Sequence, residues 1–316
     1  MVNSRPPGIS RRDFLRLSAM LALAPVSTAV YGSSDAGGVV VLDWMLTESL
    51  LLLGITPLAM ANPAGFRQTF HSVSLPASVK DVGLIYQPNL ELLTLLRPRL
   101  IIISPSHAAI APLLEKIAPT LSVGAVQGAS ASPFTQVCAA LTQLGAFFHR
   151  TERARAVILS AQKAIETARR RVVACQTQVA RKIFIVQFID EAFIRLFGLQ
   201  SLYGEMLERV GAHNACTLPT PVSGFTTTGY DALYAQPDAL LVGFAPLSAA
   251  VQTMLRQNPV WQALPFRQPG RHVLIPLIPP NGGVASAMAF AERLAQGIAI
   301  MSGAPDADLG QRQVLP

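Results

Sequence analysis

Three side chains that could do chemistry stand close together at Ser104, Ser106 and His107. A serine hydroxyl beside a histidine is the nucleophile and base of many hydrolases, and a histidine can also bond to a chelate or ligate iron. Residues so near each other in a chain rarely adopt triad geometry, and the sequence has no Gly-x-Ser-x-Gly, Walker, HExxH or Rossmann glycine motif. Ligand binding is therefore the first hypothesis for this turn, and hydrolysis is the second.

The other residue types that bind metals are scattered along the chain. The histidines are His71, His107, His149, His213 and His272, and the cysteines are Cys138, Cys175 and Cys216. No two histidines lie at i, i+4 spacing, and no two cysteines form a CxxC pair. We therefore predict no metal site. The odd number of cysteines leaves at least one thiol free even if one disulfide forms.

The 104–107 turn follows a β-branched run at residues 100–103, which follows a helical pattern at residues 89–96. Residues 39–42 and 44–53 likewise predict a strand and then a helix. Alternating strands and helices predict a parallel sheet, and such sheets bind ligands beyond the carboxyl ends of their strands. The 104–107 turn is therefore a candidate part of a pocket.

A long helical segment separates this region from a second stretch of strands and helices. Residues 133–174 carry apolar side chains at helical spacing, which predicts a helical hairpin or one helix of up to about 25 residues, roughly 37 Å long, with a break near Gly145. Strands are then predicted at 183–186, 239–242 and 273–276, and helices at 201–210 and 285–301. A helix of this length can join two lobes.

The N-terminus has the features of a twin-arginine signal peptide. Arg11 and Arg12 precede Phe14 and Leu15, an apolar run covers residues 17–24, and small residues at 27–29 offer a cleavage site. The apolar run is too short to cross a bilayer. We therefore expect a signal peptide at residues 1–29 and export to the bacterial envelope.

Composition favours a well-buried globular protein. Hydrophobic residues make up 51% of the chain and charged residues 14%. The formal net charge is +7, but the predicted leader holds four arginines against one aspartate, which leaves about +4 on the remainder. Such a charge gives no nucleic-acid signature, so we expect a soluble periplasmic protein without a nucleic-acid partner.

Short segments spread in order over nearly the whole chain after the leader recur in one known family. They include Leu52-Leu53-Gly54-Ile55, Asp81-Val82-Gly83-Leu84, Pro88-Asn89-Leu90-Glu91, Gly204-Glu205-Met206-Leu207, Pro259-Val260-Trp261-Gln262 and Ser286-Ala287-Met288. On these segments the chain resembles the periplasmic ferric-siderophore-binding proteins of ABC importers, within the iron-siderophore and cobalamin receptor superfamily. The ferric-hydroxamate-binding branch is the most similar.

The resemblance implies an α/β fold with two Rossmann-like lobes, a single long helix that joins them and a ligand cleft between them. We expect an N-terminal lobe at residues 38–145, a connecting helix at 146–175 and a C-terminal lobe at 176–316. Because one helix resists bending, closure of the lobes should be small. We also expect a monomer without a resident cofactor.

The resemblance further implies a set of ligand-binding residues. Hydroxamate-binding relatives use an arginine, a tyrosine and several tryptophans. The matching positions here are Ile85 for the arginine, His107 for the tyrosine, and Thr69, Ile103, Ser223 and Pro279 for the tryptophans. Loss of the guanidinium fork and the indoles indicates that the ligand has changed while the fold persists. The predicted ligand-binding residues are Arg67, Tyr86, His107, Ser223, Thr226, Tyr230 and Asn281.

Family members also dock onto their permease through one acidic residue on each lobe. The resemblance assigns Glu205 to this role on the second lobe, and opposite charges would orient that encounter. On the first lobe Pro112 occupies the expected position, and we predict that Glu115 substitutes for it. The alternative for Glu205 is an exposed helical glutamate paired with Arg209 at i+4.

These features predict a periplasmic receptor that captures a ferric siderophore and delivers it to an inner-membrane ABC permease for iron uptake. The siderophore class expected is a hydroxamate or a mixed hydroxamate–carboxylate. Haem and cobalamin are alternative ligands. An envelope hydrolase that acts on a siderophore is the alternative from another functional class.

Overall fold

The first lobe is built on a five-stranded parallel sheet. The computed structural model describes residues 38–124, 131–175, 181–221 and 223–303. The strand order is β3-β2-β1-β4-β5, so the chain winds outward in both directions from the centre. The strands are β1 Val39–Val41, β2 Ala59–Met60, β3 Lys80–Asp81, β4 Leu100–Ile103 and β5 Thr120–Ser122. Strands β1 and β4 pair with Val40 opposite Ile101.

Short capped helices connect these strands. They are α1 Trp44–Leu52, α2 Pro63–Thr69, α3 Leu90–Leu96 and α4 Ala111–Leu114. The carboxylate of Asp43 accepts a hydrogen bond from the Leu46 amide at the start of α1, and Asn89 caps α3 in the same way. The predicted alternation of strand and helix is confirmed in this lobe.

Two helices follow the first sheet, α5 Pro133–Phe147 and α6 Thr151–Ala174. The hairpin alternative is therefore the observed one, and the break lies after Gly145, where His149 adopts a positive φ of 55°. Gly145 instead lies where the two helices are closest, because a Cβ there would stand 2.7 Å from the Cβ of Ala154. Helix α6 has 24 residues and is about 36 Å long.

The second lobe contains a mixed sheet of order β11-β10-β6-β7-β9, with β8 beside β6. Strands β6, β10 and β11 are parallel, whereas β7 runs antiparallel to both β6 and β9. The antiparallel hairpin was not predicted from the sequence. The strands are β6 Lys182–Phe188, β7 Ile194–Phe197, β8 His213–Asn214, β9 Phe225–Thr228, β10 Leu240–Ala245 and β11 His272–Pro276.

Four α-helices complete the described part of the second lobe: α7 Leu202–Arg209, α8 Ala249–Gln257, α9 Pro259–Ala263 and α10 Val284–Met301. Helix α10 packs along α6. It is the only helix in the described ranges with the length and composition of a membrane span, but 61% of it is buried inside the protein. Its apolar character is therefore that of a core helix.

One hydrophobic core runs through both lobes. It contains Leu46 and Leu50 from α1, Ala161 from α6, and Tyr203 and Phe290 from the second lobe. Separate clusters cover the outer faces of the two sheets. A shared core resists separation of the lobes, because opening them would expose apolar surface to water.

A buried carboxylate of the first lobe caps a helix of the second. Glu48 of α1 is fully buried and accepts hydrogen bonds from the Gly283 amide at 2.6 Å and the Ser286 amide at 2.7 Å. The Ser286 hydroxyl donates a third bond. Gly283 has no side chain to cap α10 itself, and a Cβ there would stand 3.3 Å from Glu48 Oε2. We call this contact the Glu48 cap.

The opposite contact runs from the second lobe to the first. Glu205 of α7 accepts a 2.6 Å hydrogen bond from the Phe134 amide at the start of α5. Its other oxygen pairs with Arg209, whose guanidinium lies over the Phe134 ring. We call this contact the Glu205 cap. Each lobe thus supplies, from its first α-helix, a carboxylate that binds the positive end of the last α-helix of the other lobe.

Candidate functional site

The carboxyl ends of the two sheets meet beside the Glu48 cap. Helix α1 leaves the carboxyl end of β1, and the segment ending at Gly283 leaves the carboxyl end of β11. The hydrogen bond from Gly283 to Glu48 joins these two segments. Parallel sheets bind ligands beyond this edge. The residues that follow β3, β4, β6, β10 and β11 therefore form the candidate cleft.

The first-lobe wall is formed by the loop at residues 83–88, which follows β3. Gly83 and Pro88 form an isolated bridge that closes this loop. Tyr86 is 60% exposed and Leu84 is 61% exposed, which is unusual for such large side chains. Together they present an aromatic and aliphatic surface at the edge of the sheet.

His107 holds this loop against the turn after β4. Its ring is buried, and Nε2 lies 3.1 Å from the Ile85 carbonyl oxygen. Because a carbonyl only accepts, Nε2 carries the proton, and Nδ1 accepts from the Ser104 hydroxyl at 3.1 Å. The His107 ring centroid lies 5.3 Å from that of Tyr86. With both nitrogens engaged, His107 positions Ile85 and Tyr86.

Ser104 and His107 do make the contact that a nucleophile and its base require. Ser104 is only 7% exposed, however, and the same pair satisfies the backbone of its own turn. A substrate carbonyl has no access to a hydroxyl in that position. Ser106 is exposed but is not recorded as a hydrogen-bond partner of His107. The arrangement favours a structural role for the pair.

The second-lobe wall contains a hollow of about 390 Å³, which is within the range of small-molecule sites. It is lined by the β6–β7 turn at residues 189–193 together with Ser248 and Ala250. The side chains of Ile189 and Phe193 are exposed in this turn. The apolar side chains at both sheet edges thus match one another in character.

Tyr230 anchors this turn from below. It is buried, and its hydroxyl donates a 2.8 Å hydrogen bond to the Asp190 carbonyl. Burial, with a smaller contribution from the Asp190 charge, raises the pKa of Tyr230 far above its ordinary value. The phenol therefore stays neutral and serves as a donor to the turn.

Arg195 is a residue that the sequence reasoning missed. It lies on β7, three positions after the turn residue Ala192, and its Nε is buried without a hydrogen-bond partner among the described residues. Such an unpaired donor costs about 1–3 kcal/mol. The available signal was the Ile-Arg-Leu-Phe run, which places a cation inside an apolar strand pattern.

The other predicted ligand residues lie at different depths around the cleft. Ser223 and Asn281 are exposed on loops of the second lobe. Thr226 lies on β9, and its side chain lies on the sheet face opposite to that of Arg195. Arg67 is exposed on α2, and its guanidinium donates to the carbonyls of Leu75 and Pro76.

The two predicted docking acids have different surroundings. Glu115 is exposed at the end of α4, and its carboxylate accepts a hydrogen bond from Thr120. The Glu205 side chain is only 11% exposed and forms the Glu205 cap. The predicted pairing of Glu205 with Arg209 is observed at 2.8 Å.

Comparison with known proteins gives matches over most of the chain. The periplasmic binding protein family matches residues 39–277. The iron(3+)-hydroxamate-binding protein FhuD of Escherichia coli strain K12 is 31% identical over 296 residues, which are 92% of this chain and 97% of that protein. The names of the matched relatives describe binding proteins.

Solved structures share the fold. The siderophore-binding protein FhuD of Vibrio cholerae, with Fe³⁺ and Desferal bound, has a TM-score of 0.76 and 21% identity, over 84% of this chain and 99% of that one. The petrobactin-binding protein YclQ of Bacillus subtilis has a TM-score of 0.66 and 16% identity, over 83% and 92%. The extent of the family match and the FhuD identity establish that this chain belongs to the periplasmic binding protein family.

Proposed function

We propose that this protein binds a ferric siderophore between its lobes and delivers it to an ABC permease of the inner membrane. The observation that carries the proposal is the pair of exposed apolar walls, Leu84 and Tyr86 on one sheet edge and Ile189 and Phe193 on the other. A siderophore wraps iron in an organic shell with much apolar surface, and exposed aromatic groups bind such a shell well. The match to a hydroxamate-binding relative agrees with this assignment.

We assign the ligand-binding residues to two roles. Tyr86, Ser223 and Asn281 are exposed at the cleft and are proposed to contact the chelate. His107 and Tyr230 are buried with their polar atoms bonded to backbone, so they position Tyr86 and the β6–β7 turn. Arg67 and Thr226 lie further from these walls, and we give them no direct contact.

We propose that a twin-arginine signal carries the protein to the periplasm. The basis is the sequence of residues 1–29, which lie outside the described residues. Lysine replacement of Arg11 and Arg12 should abolish export while the protein accumulates in the cytoplasm. Unchanged periplasmic levels in cell fractionation would refute the export route.

Docking on the permease is proposed to use Glu115 and Glu205. Glu115 is already exposed. Glu205 is engaged in its cap, so docking requires a permease arginine to compete with Arg209 for the carboxylate. In cells, Glu115→Gln and Glu205→Gln should each lower siderophore-dependent uptake while binding of the chelate by the purified protein is retained. Loss of chelate binding in Glu205→Gln would instead indicate that the carboxylate serves only as an interlobe cap.

Calorimetric titration tests the ligand class directly. The panel should contain ferric hydroxamates, ferric citrate-type chelates, haem and cobalamin. We expect one ferric siderophore to bind with a Kd of about 1 μM or lower, which is about −8 kcal/mol. Failure of every ferric chelate to bind more tightly than about 100 μM, near −5.5 kcal/mol, would overturn the siderophore assignment.

The same titrations separate the alternatives. Tight binding of haem or cobalamin alone would reassign the ligand and keep the receptor class. Release of hydrolysed siderophore during incubation, followed by mass spectrometry, would instead indicate an envelope hydrolase. We expect the recovered siderophore to be intact, because the Ser104 hydroxyl is buried.

A further inference from the structure

Arg195 is a cation in the middle of a sheet. Its neighbours Ile194 and Leu196 are buried in the cluster on one sheet face, so the arginine side chain lies on the opposite face. There its guanidinium carbon lies 4.8 Å from the centroid of the Phe225 ring. Its Nη1 donates a long hydrogen bond of 3.4 Å to the Gln187 side chain.

The guanidinium is held in place but its donors are not used. Nε is buried and has no hydrogen-bond partner within the described ranges, and no carboxylate in that part of the chain lies within 4.0 Å of its nitrogens. Stacking on Phe225 fixes the plane of the fork. A fixed, unpaired guanidinium is suited to a planar acceptor with two oxygens.

The location of Arg195 is next to the proposed ligand wall. Arg195 follows the 189–193 turn that lines the hollow. Phe225 follows Ser223 and Gly224, which are on the loop that precedes β9. Thr227 pairs with Arg195 across the strands and is exposed. An acceptor on a bound chelate at this wall would therefore meet the guanidinium and a neighbouring hydroxyl.

We propose that Arg195 is the specificity-determining residue of a carboxylate subsite, and that the ligand is a ferric chelate with a carboxylate group, such as a citrate-centred dihydroxamate. This inference rests on the proposed function and narrows its substrate class. Iron(III) held by three monoanionic hydroxamates has no net charge and offers no carboxylate to the fork. A carboxylate-bearing chelate supplies the acceptor that Nε lacks.

The test is calorimetric titration of the full chain and its variants with two probes. One is a ferric citrate-centred dihydroxamate, and the other is a ferric linear trishydroxamate without a carboxylate. Arg195→Gln should weaken binding of the first probe about 30-fold, which is about 2 kcal/mol, and change the second less than about 3-fold. Arg195→Lys should lie between, because an ammonium keeps the charge without the fork.

Two controls keep the result interpretable. Arg256→Gln removes an exposed arginine of α8 and should leave both affinities unchanged. Thermal unfolding of Arg195→Gln should match that of the wild type, because the lost Nε has no partner to leave behind. Affinity of the wild type for the carboxylate probe should also fall with added salt more than affinity for the neutral probe.

Three outcomes would count against the inference. Equal losses for the two probes, or no loss for either, would show that Arg195 does not read a carboxylate, while the proposed siderophore function would stand. Binding of neither probe by the wild type, together with failure of the wider chelate panel, would overturn the proposed function itself. The failure of the subsite and the failure of the function are thus distinguishable.

Discussion

At the scale of single residues, the cleft separates groups that contact a ligand from groups that hold those contacts in place. Tyr86 is exposed and stacks against His107, whereas His107 is buried and bonded to Ile85 and Ser104. The two aromatic neighbours should therefore respond differently to substitution. The difference follows from burial, since an exposed ring has few protein contacts to lose.

Tyr86→Ala should weaken binding of the cognate ferric siderophore about 3- to 10-fold, because an aromatic contact contributes about 0.5–1.5 kcal/mol. Its thermal unfolding midpoint should stay close to that of the wild type. Titration calorimetry and thermal unfolding measure the two effects. Leu95→Ala is the matched control, since Leu95 is also large and exposed but lies on α3. Equal affinity losses in both variants would argue against a specific role for Tyr86.

His107→Ala should instead destabilise the fold by about 2–3 kcal/mol, because it leaves a cavity and unpairs the Ile85 carbonyl and the Ser104 hydroxyl. Denaturant unfolding measures this loss. A variant with wild-type stability but no siderophore binding would show that His107 contacts the ligand directly and would revise its positioning role.

At the scale of elements, the two reciprocal caps set how the lobes meet. Each uses the first helix of one lobe to satisfy amides at the start of the last helix of the other. Buried amides at a helix start need acceptors, and a carboxylate is also favoured there by the helix dipole. The caps therefore join lobe assembly to helix formation. They also explain why a fully buried carboxylate is tolerated at Glu48.

The Glu48 cap makes a prediction about pH. Burial raises the pKa of Glu48 above its ordinary value of 4.5, although the bonds from Gly283 and Ser286 oppose that shift. A folded-state pKa above the unfolded one means that the folded protein binds the extra proton. The contribution of Glu48 to stability is therefore full below pH 4.5 and declines as pH rises through the raised pKa.

Glu48→Gln should destabilise the protein by about 1–3 kcal/mol, because the amide places a donor against backbone donors. The difference from the wild type should be larger near pH 5 than near pH 8, in the direction given by proton linkage. Urea unfolding at both pH values measures it. Glu292→Gln, an exposed change on α10, should have little effect at either pH. A difference that grows with rising pH would refute the raised pKa.

At the scale of the whole molecule, the shared core and the single helix α6 limit movement between lobes. The core includes residues of α1, α6 and α10 together, so opening the lobes would expose apolar surface. Helix α6 is continuous over 24 residues. We therefore expect ligand binding to adjust loops of the cleft more than the angle between lobes.

Spin labels at Lys116 and Arg256, both exposed and on different lobes, test this expectation. In a background without the three native cysteines, the interlabel distance should change by less than about 2 Å when a ferric siderophore binds. Pulsed electron paramagnetic resonance measures the distance distribution, and a chelate that does not bind is the control. A shift of many ångströms would show a hinge that the shared core does not restrain.

Much of the architecture follows from local sequence pattern. The strand at residues 100–103, the cap at Asn89 and the terminal helix were all predicted, because apolar periodicity and capping act over a few residues. The hairpin of β6 and β7 was missed, because Arg195 interrupts the apolar pattern of β7. The same arginine is the clearest departure from a purely structural strand.

The sequence by itself determined the order of strands and helices, the resemblance to a receptor family and the segments that border the cleft, since these depend on periodicity and short motifs. Only the tertiary structure decided which polar side chains face the ligand and which are satisfied inside. Glu48 meets Gly283 across 235 positions and Glu205 meets Phe134 across 71. Burial and hydrogen-bond partners are properties of chain segments brought together in space, and no local pattern specifies them.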